Sequence, residues 1–231
     1  MNTLKFQRAR SDEQRGIRRQ AILRVAAEMV AEMPVAELTL NELSRRVGLA
    51  KSNVLRYFES REAVLLELLD SAWRGWLQRL AEALPREVDA SAPVATRYPR
   101  IAATIAASLV HDRLFCELIS VSSAVLERNI STEVARSYKL SAIANIGALA
   151  DLVRAHLAEL SPQGATYFAA GAVVATTGIW PLTQPSEAML RVYEDPAMAV
   201  LRLDFGTALE EMLAVLLAGC LARWAASPVQ P

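Results

Sequence analysis

Apolar residues return at intervals of three and four along most of the chain, and no run alternates long enough to make a strand. Ile22, Val25, Ala26 and Met29 mark one face of a first helix over residues 17–32, which Pro34 stops. Gly 9 and Pro 10 are few for 231 residues, so little breaks a helix. The pattern predicts an all-α protein. Hydrophobic residues at 53% against 22% charged exclude disorder of the whole chain.

Local signals place the remaining elements. Thr39-Leu40-Asn41-Glu42 reads as a capping box, with Leu40, Leu43 and Val47 on the buried side of a second helix that Gly48 ends. Lys51 to Tyr57 forms a short third helix, and Ser60 caps a fourth from Arg61 to about Leu84. Three prolines (Pro85, Pro93 and Pro99) mark an internal boundary. Helices follow near 99–110, 112–128, 132–159, 162–182, 186–194 and 200–224. Ser131 and Ser161 fit as N-caps, and Pro162 as a first helical residue. The parts are an N-terminal arm (1–16), a three-helix unit (17–60), a connecting helix (61–84) and a helical remainder (85–227).

The formal net charge is zero, yet residues 1–60 carry eleven Lys and Arg against seven Asp and Glu. A basic front of this size suits a polyanion, or is merely a solvated surface. Helix, Gly turn, helix over 39–57 has the form of a helix-turn-helix. In such a motif the second helix lies in the DNA major groove, so it must be apolar on one side and rich in hydrogen-bonding groups on the other. Val54 and Phe58 are four apart and pack inward, leaving Lys51, Ser52, Asn53, Arg56 and Tyr57 to face out. Asn can pair with adenine and Arg with guanine, while Lys, Ser and Tyr suit phosphates.

Several classes are set aside. There is no G-x-S-x-G, no Gly-rich phosphate loop and no H-E-x-x-H, so no catalytic residue and no cofactor is assigned. His111 and His156 have no Cys or Glu at ligand spacing, so no metal site is expected. Two cysteines, Cys116 and Cys220, are too few for a disulfide framework. The longest apolar run, residues 168–182, falls short of the roughly 20 residues a membrane crossing takes, and residues 1–24 lack a signal-peptide core. These features lead to the expectation of a soluble cytoplasmic protein with no membrane partner.

Residues 17–70 resemble the N-terminal DNA-binding domain of TetR-family (tetracycline-repressor-like) transcriptional regulators. The resemblance rests on Thr39, on Leu43-Ser44-Arg45-Arg46-Val47-Gly48-Leu49, on Lys51 to Phe58 and on Ser60-Arg61-Glu62-Ala63-Val64-Leu65. It implies that Thr39 and Asn41 touch phosphate or a base edge. Lys51, Ser52, Asn53, Arg56 and Tyr57 would face the groove, and Arg61, where the family usually has Lys, would sit on a phosphate. Glu62 would cap. This chain departs with Leu55 where many members have Tyr, and Ala50 where Ser or Thr is common. Leu55 would contact a thymine methyl or simply pack. The basic stretch 5–19, with Arg8, Arg10, Arg15, Arg18 and Arg19, would track the backbone or enter the minor groove, or else form a solvated tail.

Residues 167–180 and 200–224 are apolar nearly all round and need cover on both sides. The cover is a monomer core or, as the resemblance implies, a homodimer through the helices near 162–182 and 200–224. The resemblance also implies a repressor released from a palindromic double-stranded operator by a small apolar ligand. Candidate lining residues are Trp73, Trp76, His111, Phe115, Cys116, Ser120, Tyr138, Ile143, Trp180 and Met189. The connecting helix, joined to both regions, would transmit ligand binding as a tilt. The alternative is a helical ligand carrier or scaffold that does not bind DNA.

Overall fold

The computed structural model describes residues 3–225, with side chains from residue 13 onward. It is all-helical, and among the described residues the sole β-type contact is the bridge between Leu160 and Ala225. The first three helices are α1 (Thr3–Glu32), α2 (Leu40–Val47) and α3 (Lys51–Val54). A long α4 (Arg61–Glu87) leads to α5 (Val94–Val110), α6 (Arg113–Val121), α7 (Thr132–His156) and α8 (Pro162–Leu182). Two short helices, α9 (Glu187–Val192) and α10 (Pro196–Ala199), precede α11 (Phe205–Arg223).

α4 is the common beam, about 40 Å long at 1.5 Å per residue. Leu65, Leu69, Trp73, Trp76, Leu80 and Leu84 recur every three or four positions along it and are all buried. Its first half packs on α1, where Ile22, Ala26 and Met29 are fully buried. It also packs on α5, α6 and α7, with Asn145 of α7 donating to Asp70 at 3.0 Å. α11 lies against α5 and α8, and α7 against α8. At the α8/α11 crossing a methyl placed on Gly171 would lie 2.6 Å from Leu216 Cδ2, so glycine permits the approach.

The local caps form as the sequence indicates. Ser60, Ser131 and Ser161 each accept the N3 amide, at 3.1, 3.2 and 3.1 Å, and Pro162 opens α8. Gly48 adopts φ 72°, the left-handed conformation that releases α2 into its turn.

Several boundaries differ. α1 begins at Thr3, so residues 3–16 are its first turns rather than a separate arm. Pro85 and Pro99 lie inside α4 and α5, so the break narrows to residues 88–93 and the connecting helix extends to Glu87. Each proline removes one backbone donor and crowds the carbonyl four residues before it, and the packed faces of α4 and α5 outweigh that cost. The helix expected over 112–128 changes pitch after Val121: Glu127 N–H reaches five residues back to Ser122 O at 3.0 Å. There Ser122 Oγ donates to Ile119 O at 2.9 Å and competes with the regular ladder. The segments expected at 132–159, 186–194 and 200–224 are shorter than read, and residues 200–204 lie outside α11. α8 and α11 are both long and apolar enough to cross a membrane by length and composition, which the uninterrupted run of 15 did not reveal. Here they pack on each other instead.

Candidate nucleic-acid interface

α2 and α3 form a helix-turn-helix whose apolar side is sealed. Leu43 and Val54 are fully buried and Phe58 nearly so, anchoring both helices to α1 and α4. The opposite side is wet. Thr39, Asn41, Lys51, Ser52, Asn53 and Arg56 are exposed, Tyr57 is half-buried, and Leu55 stands 42% exposed. Among the described residues neither Lys51 nor Arg56 makes an ion pair. Eight of the nine expected contact residues, Leu55 among them, are thus exposed or half-buried on α2, α3 and the turns that follow.

α3 is shorter than expected. Ala50 offers no side chain to cap it, and regular helix ends at Val54. Residues 55–57 continue as tighter turns, with Arg56 N–H on Asn53 O at 3.2 Å and Tyr57 N–H on Val54 O at 2.9 Å. The polar face survives because these turns keep the helical sense.

Thr39 caps α2, accepting Glu42 N–H at 3.2 Å. Glu42 does not complete the box. Its carboxylate takes Arg45 at 2.8 and 2.6 Å and Arg46 Nε at 3.0 Å, one turn ahead. The two guanidinium groups hold the Glu42 carboxyl at about 2, far below its ordinary range.

Arg61 is the ninth residue, and its place differs from the phosphate role. Its guanidinium donates to Leu38 O at 2.9 Å and Ala36 O at 3.3 Å, and pairs with Glu62 at 3.2 Å. Its reach is spent on the carbonyls of the turn before α2, so it braces the entry to Thr39.

Arg19 is likewise internal. It forks onto both carboxylate oxygens of Glu67, donates to Tyr57 O and lies 4.2 Å over the Phe58 ring. One side chain thus ties α1, the exit of the reading turn and α4. No local signal announces this clamp, because Arg19 and Glu67 are 48 positions apart. A second long-range tie was equally silent: Glu59 accepts Ser131 N–H at 2.6 Å, joining the turn to the start of α7. Arg15 and Arg18 remain on the surface, and with Gln14, Arg56 and Tyr57 they line a groove of about 360 Å³ beside α3. The side chains of Arg8 and Arg10 lie outside the described residues.

The expected ligand-lining residues do not converge. Trp73, Trp76, Phe115 and Cys116 form a buried cluster, with Trp76 and Phe115 stacked at 5.4 Å. Tyr138 and Trp180 are buried elsewhere: Tyr138 borders the cleft beside Tyr57, and Trp180 packs edge-on to Phe205 and donates to Glu117 at 2.9 Å. Ser120 is half-buried and donates to Glu117 O at 2.9 Å. His111, Ile143 and Met189 stand on the surface. The void lined by Trp76, Ile105, Leu109, Phe115, Leu149, Ala172, Val173 and Thr176 measures about 10 Å³.

Comparison with known proteins agrees with this architecture. Residues 22–68 match the family model for bacterial regulatory proteins of the tetR family, and residues 70–224 match the tetracyclin repressor-like C-terminal domain. The HTH-type transcriptional regulator EthR of Mycobacterium tuberculosis is 38% identical over 50 residues, which are 22% of this chain and 23% of EthR. The chain thus matches less than a quarter of that relative's length. A tetR-family regulator from Mesorhizobium loti superposes with a TM-score of 0.55 at 13% identity, covering 92% of this chain and 98% of that one. FadR of Bacillus subtilis, solved with stearoyl-CoA, superposes at 0.53 and 14% identity, covering 87% and 98%. With a family model spanning residues 70–224 and a second spanning the helix-turn-helix, the chain belongs to the TetR family of transcriptional regulators, DNA-binding proteins rather than enzymes.

Proposed function

We propose that this regulator works as a cytoplasmic homodimeric repressor that reads a palindromic operator and leaves it when a small, largely apolar molecule binds. The observation that carries the DNA reading is the division of α3: Val54 is fully buried while Lys51, Ser52, Asn53 and Arg56 are exposed. Asn53 and Arg56 are assigned to base edges, and Lys51, Ser52 and Tyr57 to phosphates. Thr39 and Asn41 approach from α2. Leu55 is assigned to a thymine methyl, since its exposure argues against a packing role. The groove of Arg15, Arg18, Arg56 and Tyr57 extends the phosphate track onto α1. Arg61 acts at one remove, by holding the turn that presents Thr39.

The dimer reading rests on the outward faces of α8 and α11. Val174 is 71% and Val215 68% exposed, and Tyr167 and Met212 stand beside them. Paired with the same faces of a second copy, they make a four-helix bundle and give two reading helices the symmetry a palindrome requires.

The effector reading rests on the aromatic cluster. The Trp73 indole N–H is buried and, among the described residues, has no acceptor. An apolar effector bearing one oxygen would satisfy it. The void beside Trp76 and Phe115 is far smaller than a ligand, so binding requires these rings to part.

Selection of bound sequences from random DNA at a stated salt concentration tests the proposal. A two-fold symmetric site is expected, with Arg56→Ala relaxing preference at one base pair per half-site at a cost of about 1–3 kcal/mol. Enrichment of no sequence, or an asymmetric half-site bound by a monomer, refutes it.

A further inference from the structure

The helix-turn-helix unit is held to the helical body by a bond outside its own packing. Glu59, in the turn between α3 and α4, accepts Ser131 N–H at 2.6 Å across 72 positions of sequence. Ser131 is the N-cap of α7, its hydroxyl accepting Val134 N–H at 3.2 Å, so the carboxylate closes the positive end of that helix. About three turns further along, Asp70 of α4 accepts Asn145 of α7 at 3.0 Å, and Asn145 is buried. The two ties follow the same order on both helices and stand roughly 15–20 Å apart. Between them lies a cleft of about 580 Å³, lined by Ala63, Leu66 and Glu67 of α4 and by Val134, Ser137 and Tyr138 of α7. Across that cleft the angle between the helices is set by the ties and not by interlocking side chains.

We infer that Glu59 is a positioning residue: its grip on the Ser131 amide fixes the angle of the reading unit on the body, and so the half-site spacing that the protein accepts. The inference rests on the reading of a homodimer on a palindromic operator. α1 packs on α4, α2 on α1 and α3 on α2, so the three ride on α4, and α1 also touches α6. Glu59 adds the tie to α7. That helix in turn packs on α8, whose outward face is the one assigned to the second copy. Glu59 therefore joins the reading turn to the paired helices by a path separate from α4. With the tie made, each reading helix has one place relative to the two-fold axis. Without it, α4 pivots at Asp70 and its N-terminal end swings across the cleft. One base pair of spacing moves a half-site by about 3.4 Å and turns it by roughly 35°, which a fixed mount rejects and a pivoting one follows.

The test uses the full chain as wild type, Glu59→Ala, Glu59→Gln and Ser131→Ala. Both positions are exposed, so the variants keep the fold, which a circular-dichroism melt checks. Each binds the operator selected from random DNA, with its half-sites at their natural spacing and one base pair closer or farther. Fluorescence anisotropy at fixed salt gives the ratio of dissociation constants, altered over natural spacing. The ratio is expected to be about ten or more for wild type and to fall at least about threefold in Glu59→Ala. Glu59→Gln keeps an acceptor oxygen without the charge, and its ratio should fall less than that. Ser131→Ala loses the cap of α7 but keeps the amide, so it melts lower while its ratio likewise holds. A Glu59→Ala ratio that holds, beside a discriminating wild type, overturns the tie alone and leaves the palindrome standing. A Glu59→Gln ratio that falls with that of Glu59→Ala makes charge the cause, and a Ser131→Ala ratio that does so makes fraying of α7 the cause; either refutes the tie. A wild-type ratio well under ten removes the operator reading and this inference together.

Discussion

Replacing Arg19 with alanine separates two roles for a basic residue beside a reading helix. In the structure its guanidinium contacts Glu67, the Tyr57 carbonyl and the Phe58 ring at once. The ion pair is about one-third exposed on each side, so solvent screens it to about 1 kcal/mol. The hydrogen bond to the carbonyl adds about 1 kcal/mol, and the cation over the ring about 0.5 kcal/mol. The three share one side chain and are not additive, so about 2 kcal/mol is expected. For a chain of this length that lowers the melting temperature by roughly 4–8 °C. The tether also fixes the exit of α3. Losing it lets residues 55–58 sample other conformations and weakens operator binding several-fold, as the competent fraction falls. The salt dependence should not change, because no phosphate contact is removed. The assays are a thermal melt and a salt series of operator titrations. Arg19→Lys restores charge but not the fork, and should recover less than half of the stability. An Arg19→Ala chain that melts within 1 °C of wild type while its salt slope falls by about one refutes the clamp and makes Arg19 a phosphate ligand.

Three further outcomes follow from the packing. Ala50→Thr supplies the missing cap of α3 and should raise stability by about 0.5–1 kcal/mol in a urea melt; no gain would mean that the first turn of α3 is already satisfied. Gly164→Ala places a methyl 2.7 Å from Leu160 Cδ1 and 3.0 Å from Trp224 Cβ and should cost about 1–3 kcal/mol, whereas Gly147→Ala meets nothing within 4 Å and should gain up to about 1 kcal/mol. Burial pushes the Cys116 thiol up to about 12 from an ordinary value near 9.0, so the folded state binds its proton more tightly than the unfolded chain. The stability this represents is complete below pH 9 and is lost as pH climbs towards 12, and iodoacetamide should label Cys116 at pH 8 no faster than the protein unfolds.

What the sequence disclosed was local. Thr39, Ser60, Ser131 and Ser161 cap their helices because a cap needs only a hydroxyl three residues from an amide. The polar face of α3 was readable for the same reason, since Val54 and Phe58 fix which side is buried. Distance along the chain hid the rest. Arg19 and Glu67, or Glu59 and Ser131, meet only once α1, α4 and α7 have docked. Prolines misled because a packed helix such as α4 tolerates near its end both the lost donor and the crowded carbonyl that a proline brings. Ile143 shows the limit for the effector site. The buried stripe of α7 runs through Tyr138, Asn145, Leu149 and Val153, and a residue two places from Asn145 points some 200° away, to solvent. Composition placed Ile143 among apolar candidates, but only the docked face decides which candidates see the core.

The closed core and the reading surface are mechanically one problem. Trp73 and Trp76 belong to α4, the helix whose first turn carries Arg61 against the entry to α2. With Trp76 stacked on Phe115 and Trp73 tilted against it, the void between them is too small for a ligand, so the proposed effector has to displace α4 or α6 to enter there. Turning the population from 99:1 closed to the reverse demands about 5.5 kcal/mol of preference for the open form. Among the described residues the Trp73 N–H has no acceptor, and an effector oxygen placed on it would contribute about 1–3 kcal/mol to that preference. The remainder has to come from apolar contact with the parted rings. Under the proposed function, an effector is therefore expected to be mostly hydrocarbon with a single well-placed acceptor, and the α4 movement that would admit it is the one expected to change the spacing of two reading helices.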